Sequence, residues 1–322
     1  MAKGTPRLVA EAGRQQAGEV RLRGLVRLRR YGLTRRQLAW LLFLPAVVIL
    51  AAVLGYPTGR TVWMSLHTVR LDEPWLGEPF VGLKNYALVL QDQSFWSSLG
   101  VSTYFTAGAV ALELLLGLCV ALVVNESFRG RGLMRAAMLV PWAIPAIVSA
   151  RMWGWMFSPG LGAFNGLLNA LHIVNGPIDM LGSPTWAMPA LIIADTWKNT
   201  PFVALLLLAG LQVISAELYE AARVDGAGVW QRFLHVTLPL LRGSIVVALL
   251  FRTLTAFQTF DLAIGLTQGG PGTRTELLSL HAYRVFFSYV NFGQGATLAV
   301  IIAVICVVIA ALYARQLRIE DV

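Results

Sequence analysis

Charge is scarce in this sequence: 13% of its 322 residues are Asp, Glu, Lys or Arg, about half the share of an ordinary soluble domain (~25%). Set against 57% hydrophobic residues, that scarcity excludes a soluble enzyme, and also a disordered or fibrous chain, which would be too polar to collapse. Cysteine is nearly absent. Cys119 and Cys306 each lie in an apolar run, so neither a disulfide framework nor a cysteine-based zinc site is available. Lysine follows Ala2, Leu83 and Trp197 and occurs nowhere else. A Walker A phosphate loop needs Gly immediately before Lys, so the chain has none, and any active transport draws its energy from elsewhere. His-Glu-x-x-His, Gly-x-Ser-x-Gly and Cys-x-x-Cys are missing too. His67, His172, His235 and His281 are scattered, as interfacial or structural histidines are. No catalytic residue and no metal ligand set is expected.

Long apolar runs are what the sequence has instead. About 20 such residues cross a bilayer as a helix, and six stretches qualify: Leu38–Tyr56, Leu99–Val124, Arg135–Phe157, Trp186–Ile214, Leu240–Ile264 and Ala296–Tyr313. The expected fold is an all-α membrane protein with six transmembrane helices over residues 38–322, behind a basic tail, 1–37. Pro141 and Pro145 in the third span and Pro201 in the fourth predict kinks, not breaks, because neighbouring helices re-satisfy freed carbonyls.

The net charge of +9 would suggest nucleic acid in a soluble chain, but the placement of the charges excludes it. The tail, the second and fourth connections and the C-terminal end hold 18 Lys and Arg, while the opposite flanks hold five, Arg60, Arg70, Lys84, Arg274 and Arg284. Both termini are therefore expected in the cytoplasm, with the tail on the anionic lipid leaflet or disordered. Thr34-Arg35-Arg36-Gln37-Leu38 resembles a twin-arginine export signal, yet no small-residue cleavage site follows and five further spans do, so it reads as a positive-inside anchor. Val81–Tyr86 reads as a short surface helix. The third connection, Ser158–Pro184, has no Lys or Arg and reads as an external loop. No internal repeat is evident.

The fourth connection carries the most information: EAARVDGAGVWQRFLHVTLPLL, Glu220 to Leu241. It predicts a helix from about Ala216 to Val224, a break at Gly226-Ala227-Gly228, an amphipathic turn with Trp230, Phe233 and Leu234, and Pro239 opening the next span. This run resembles the EAA motif of permease subunits of binding-protein-dependent ABC importers. Glu220, Ala221, Ala222, Gly226, Leu238 and Pro239 match it position for position, with Val236 in place of its Ile. Phe80–Tyr86, Leu266–Thr273, Thr196–Gln212 and Val247–Asp261 are similar to sugar permeases of the maltose and trehalose type.

The resemblance implies the type I importer permease fold and a bacterial or archaeal cytoplasmic (inner) membrane. It also implies a homologous second permease, two ATP-binding cassette subunits and an extracytoplasmic sugar-binding protein as partners. ATP and Mg would sit on the ATPase subunits and no cofactor on this chain. The segment 216–236 would be the coupling helix, with Glu220, Ala221, Ala222, Asp225 and Gly226 contacting the ATPase. Small Ala side chains permit close approach, Gly226 permits a turn, and the acids can pair with cations.

Six ionisable residues fall in or beside spans: Glu113, Arg151, Asp195, Lys198, Arg252 and Asp261. At a helix centre each costs about 2.5–3.5 kcal/mol, so each should face the bundle or a wet cavity. Asp195, Lys198, Asn199 and Phe202 share one helix face by their spacing, and Arg252, Thr255 and Thr259 share another. Hydrogen-bonding groups beside an aromatic ring suit a sugar, and the resemblance implies cavity lining for these positions; the competing reading is an ion-pair cluster of Asp195 with Lys198 or Arg252. Glu113, Arg151 and Asp261 read as structural. Kept open are an importer of glycerol-3-phosphate or another anion, an ion-coupled secondary transporter with Asp195 or Glu113 as proton site, and, least favoured, a membrane-embedded enzyme.

Overall fold

A computed structural model describes residues 34–174 and 176–319; the basic tail lies almost wholly outside the described residues. The chain divides into two units, Met1–Arg60 and Thr61–Val322. In the first, Thr34 caps a helix. Its hydroxyl accepts from the Gln37 amide at 3.3 Å while Gln37 Oε1 accepts from the Thr34 amide at 2.8 Å. This reciprocal capping box gives the Thr-Arg-Arg-Gln sequence a local structural role. Helix α1, Arg36–Ser65, continues past the expected end at Tyr56. A π-turn at Ala51–Gly55 lies one turn before Pro57, whose ring nitrogen has no N–H to give the helix.

Among the described residues of the second unit the regular elements are helices, joined by turns and loops and accompanied by two isolated bridges. This unit contains α2 Lys84–Gln91, which begins three residues later and ends five later than the short helix expected over Val81–Tyr86, and α3 Gln93–Asn125. Then come α4 Arg131–Ala143, α5 Ala146–Met156, α6 Ala163–Ala170 and α7 Ala187–Val213. The rest are α8 Ala216–Val224, α9 Val229–Phe257, α10 Asp261–Leu266, α11 Leu278–Tyr283 and α12 Phe292–Ile319. Among the described residues five helices are long and apolar enough to cross a membrane, and the α4–α5 pair makes a sixth if it counts as one span.

The largest interface is α7 on α3. Gly117 of α3 makes it possible: a Cβ there would come within 2.7 Å of Val203, so the two backbones touch, as small residues allow in membrane bundles. One core cluster gathers Phe105, Ala109, Leu191 and Ala194 with Ala150, Trp153 and Leu262; a second gathers Ala121, Val124, Leu207 and Leu241. Together they hold α7 central, packed on α3 and α9.

Two expectations need correction. The third span is broken, not kinked: α4 and α5 meet at 93°. Ile144 takes extended backbone at φ −71°, ψ 131°, the conformation a following proline imposes. The carbonyls this frees are taken up by Lys198 of α7, whose Nζ donates to Trp142 O at 3.2 Å and to Ile144 O. Pro201, by contrast, sits inside an unbroken α7, as expected. The fifth span ends at Phe257, not Ile264, and α10 follows as a separate helix. At its other end Pro239 stands in the first turn of the α-helix Leu238–Phe257, as expected, and the amphipathic turn runs into it through a π-turn at Phe233–Thr237.

Candidate functional site

Two groups of residues singled out in the sequence occupy different ends of α7 and α9. The first surrounds α8. Ser215 caps that helix by accepting from the Glu217 amide at 3.3 Å, and Glu217 stands in the first turn where it complements the helix dipole. The far end is a Schellman cap: Ala227 N donates to Ala222 O at 2.9 Å and Gly226 N to Arg223 O at 3.1 Å. Such a cap needs a left-handed residue, and Gly226 supplies it at φ +81°. Gln231 Oε1 then accepts from the Gly228 amide at 2.8 Å, starting α9. Glu220, Ala221, Asp225 and Gly226 are exposed and Ala222 is half-buried. Leu218, Val224, Val229 and Trp230 are exposed beside them, which makes this end a small apolar knob carrying three acids, Glu217, Glu220 and Asp225.

The second group lies on the α7 and α9 faces toward α3. Arg252 is buried and grips Glu113 with two donors, Nε to Oε2 at 2.5 Å and Nη2 to Oε1 at 2.7 Å. Its Nη2 also donates to Asp195 Oδ2 at 3.0 Å, and its Nη1 to Thr255 Oγ1 at 2.7 Å. One guanidinium thereby ties three helices together through the bidentate geometry that suits a carboxylate. Asn199 Nδ2 donates to Asp195 O at 3.1 Å and to Oδ1 at 3.0 Å. Phe202 stacks on Trp142 with ring centroids 6.0 Å apart and meets Phe251 edge-on at 6.3 Å.

The geometry brings Asp195, Asn199, Arg252 and Thr255 into one network and places Lys198 and Phe202 against the α4–α5 break. Thr259 lies beyond the end of α9, its hydroxyl donating to Thr255 O at 3.3 Å. Asp195 and Arg252 are buried, Lys198, Asn199, Phe202 and Thr259 half-buried and Thr255 exposed. Glu113, set aside in the sequence as structural, is the principal partner of Arg252. Trp142 and Phe251 were not singled out at all; the residues adjoining Pro141 and Arg252 were the one available signal. Among the described residues no group of three or more His, Cys, Asp or Glu is placed to hold a metal ion.

A third cluster fixes the segment after α10. Glu276 is buried, accepts from His281 Nδ1 at 2.9 Å, and pairs with Arg284, which also donates to Gln268 O. Burial pushes the Glu276 carboxyl up, but the His281 hydrogen bond and the Arg284 charge outweigh it and hold it below its ordinary value. Thr275 Oγ1 donates to Gly270 O at 2.8 Å, closing the glycine-rich turn.

Residues 113–318 match the family described as binding-protein-dependent transport system inner membrane component. A trehalose/maltose transport system permease protein of Thermococcus litoralis is 42% identical over 280 residues, 87% of this chain and 93% of that protein. A sulfoquinovosyl glycerol transport system permease protein of Agrobacterium fabrum is 40% identical over 89% of this chain and 92% of its own length. A trehalose transport system permease protein of Mycobacterium tuberculosis is 39% identical over 88% and 89%. In fold, the chain resembles a bacterial ABC transporter involved in import of the acidic polysaccharide alginate, at a TM-score of 0.75 and 22% identity, over 88% of this chain and 96% of that one. The chain belongs to the family of inner-membrane components of binding-protein-dependent transport systems, the permeases of ABC importers.

Proposed function

We propose that the chain forms half of the translocation pathway of an importer for a disaccharide such as trehalose or maltose, and that α8 is its contact with the ATPase. The α8 geometry carries this reading: an exposed, doubly capped helix ending in a left-handed glycine, between two core spans. In this arrangement both termini and α8 are cytoplasmic, and a second homologous permease completes the pathway. Two ATP-binding cassette subunits dock on the cytoplasmic side, and an extracytoplasmic binding protein delivers the sugar. ATP-driven closure of the cassettes moves α8 and opens the helices outward; hydrolysis resets them inward.

Of the proposed substrate residues, Asp195 and Arg252 hold the wall in shape. Lys198, Asn199, Phe202, Thr255 and Thr259 keep accessible surface and make the sugar contacts, with Phe202 and Trp142 as the aromatic plate. The donors of Arg252 are largely taken up within the chain and Lys198 donates to two carbonyls. That supports a neutral sugar over glycerol-3-phosphate or another anion, the reading favoured by the remaining exposure of Lys198.

The test is uptake of labelled trehalose, maltose and glycerol-3-phosphate by cells carrying the complete transporter. Glu220→Lys/Gly226→Val should abolish uptake and leave the protein in the membrane. Wild-type uptake from that variant would overturn the role of α8, and uptake of glycerol-3-phosphate alone would overturn the sugar.

A further inference from the structure

A cavity of about 900 Å³ opens beside α8 and is bounded by α3, the end of α7 and the start of α9. Its floor is apolar, with Leu115, Leu118 and Leu122 of α3 facing Leu211 and Leu238. Its rim is basic: Arg223 and Arg232 line it against one acid, Glu126. The Arg232 Nε is buried and has no hydrogen-bond partner, an uncompensated donor at the edge of an apolar chamber. The chamber follows α3 from Asn125 up to Leu115, ten residues or about 15 Å at 1.5 Å per residue. That depth is about half of a ~30 Å hydrocarbon core, one leaflet.

We propose that this cavity is a site for one anionic phospholipid, an acyl chain lying along α3 and the phosphate held by Arg223 and Arg232. A soluble subunit docking on α8 does not send a loop the depth of a leaflet into hydrocarbon, whereas an acyl chain is already there. Lipid occupancy satisfies both features at once, since it fills apolar volume and supplies acceptor oxygens to the arginines. It also places a lipid against the base of α8, between the two spans that α8 connects. The proposal does not depend on which sugar is carried or on whether α8 binds an ATPase.

The test is native mass spectrometry of the full chain and of the assembled transporter in mild detergent, with added dioleoyl phosphatidylglycerol or dioleoyl phosphatidylcholine. One phosphatidylglycerol per chain should be retained in both preparations, at least tenfold above phosphatidylcholine. Arg223→Gln/Arg232→Gln should lose that preference, and Leu118→Trp, which fills the floor, should abolish retention while both variants unfold near the wild-type temperature. Glu220→Lys, which removes coupling if that reading holds, should retain lipid normally. Equal retention of the two lipids, or retention unaffected by Leu118→Trp, would overturn the proposal. So would displacement by millimolar inorganic phosphate, which assigns the rim to a soluble anion. Retention by the isolated chain but not by the complex would assign the cavity to a span of the second permease, and would equally overturn it.

Discussion

Lys198 illustrates how one side chain can be drawn into service by backbone geometry. Proline at 145 removes a helical hydrogen bond and forces Ile144 out of the helix, and the ammonium covers the carbonyls left behind. Lys198→Met should therefore lower stability by about 1–2 kcal/mol, the worth of a charge-assisted hydrogen bond at a half-exposed site, seen as an earlier thermal midpoint in detergent. Arg252 is under a stricter constraint. Arg252→Met strands Glu113 and Asp195 as buried carboxylates and should cost about 3–5 kcal/mol, enough to deplete the protein from the membrane. Glu113→Gln/Asp195→Asn/Arg252→Gln keeps shape and polarity without any charge, and should restore membrane levels and most trehalose uptake. Restored levels without uptake would show that the charges grip substrate. Glu276 provides the pH dependence. Its carboxyl is held below the ordinary value of 4.5, so its partners stabilise the fold fully above that pH and lose their effect as pH falls through the lowered value. The gap in thermal midpoint between wild type and Glu276→Gln should be widest at pH 7 and narrow below pH ~4.5.

Among the helices, α8 was legible from the sequence, because its end signal is local: the helix expected from about Ala216 to Val224 is found there and ends at Gly226, while its cap Ser215 was not read from the sequence. The apolar lengths likewise revealed α3, α7 and α12. The α4–α5 break was not legible, since Pro141 and Pro145 are compatible with a kink or a break, and the choice is made by Lys198, Trp142 and Phe202, contacts more than 50 residues apart along the chain. Distance also hid the pairing of Glu113 with Arg252, 139 residues apart, although the cost of membrane charges had marked both. The local character of the α8 cap permits a separate test. Nothing lies within 4 Å of a Cβ built on Gly226, so a substitution there acts through backbone strain alone. Asn adopts the left-handed conformation readily and β-branched residues do not. Gly226→Asn should keep most uptake, whereas Gly226→Val should lose it and cost about 1–2 kcal/mol. Equal loss from both would mean that close approach of a partner, not strain, sets the need for glycine.

On the scale of the whole chain, the question is what one permease subunit can do alone. The sequence has no phosphate loop, and the proposed wall of Lys198, Asn199, Phe202 and Thr255 retains accessible surface. A disaccharide crossing the membrane needs polar groups around its whole circumference, because every hydroxyl stripped of water without a partner costs kilocalories. One wall supplies a fraction of them. The purified chain in proteoliposomes should therefore hydrolyse ATP no faster than protein-free liposomes and accumulate no trehalose, under ATP or under a proton gradient. Adding the second permease, the cassette subunits and the binding protein should produce both activities together. If the chain alone instead accumulated sugar under a proton gradient, the carboxylates would acquire another meaning. Asp195 and Glu113 share one guanidinium, and a proton arriving at either would loosen the tie between α3, α7 and α9, as an ion-coupled carrier requires. Glu113→Gln would then abolish gradient-driven uptake, whereas in an ATP-driven importer it should leave transport largely intact wherever the protein still folds.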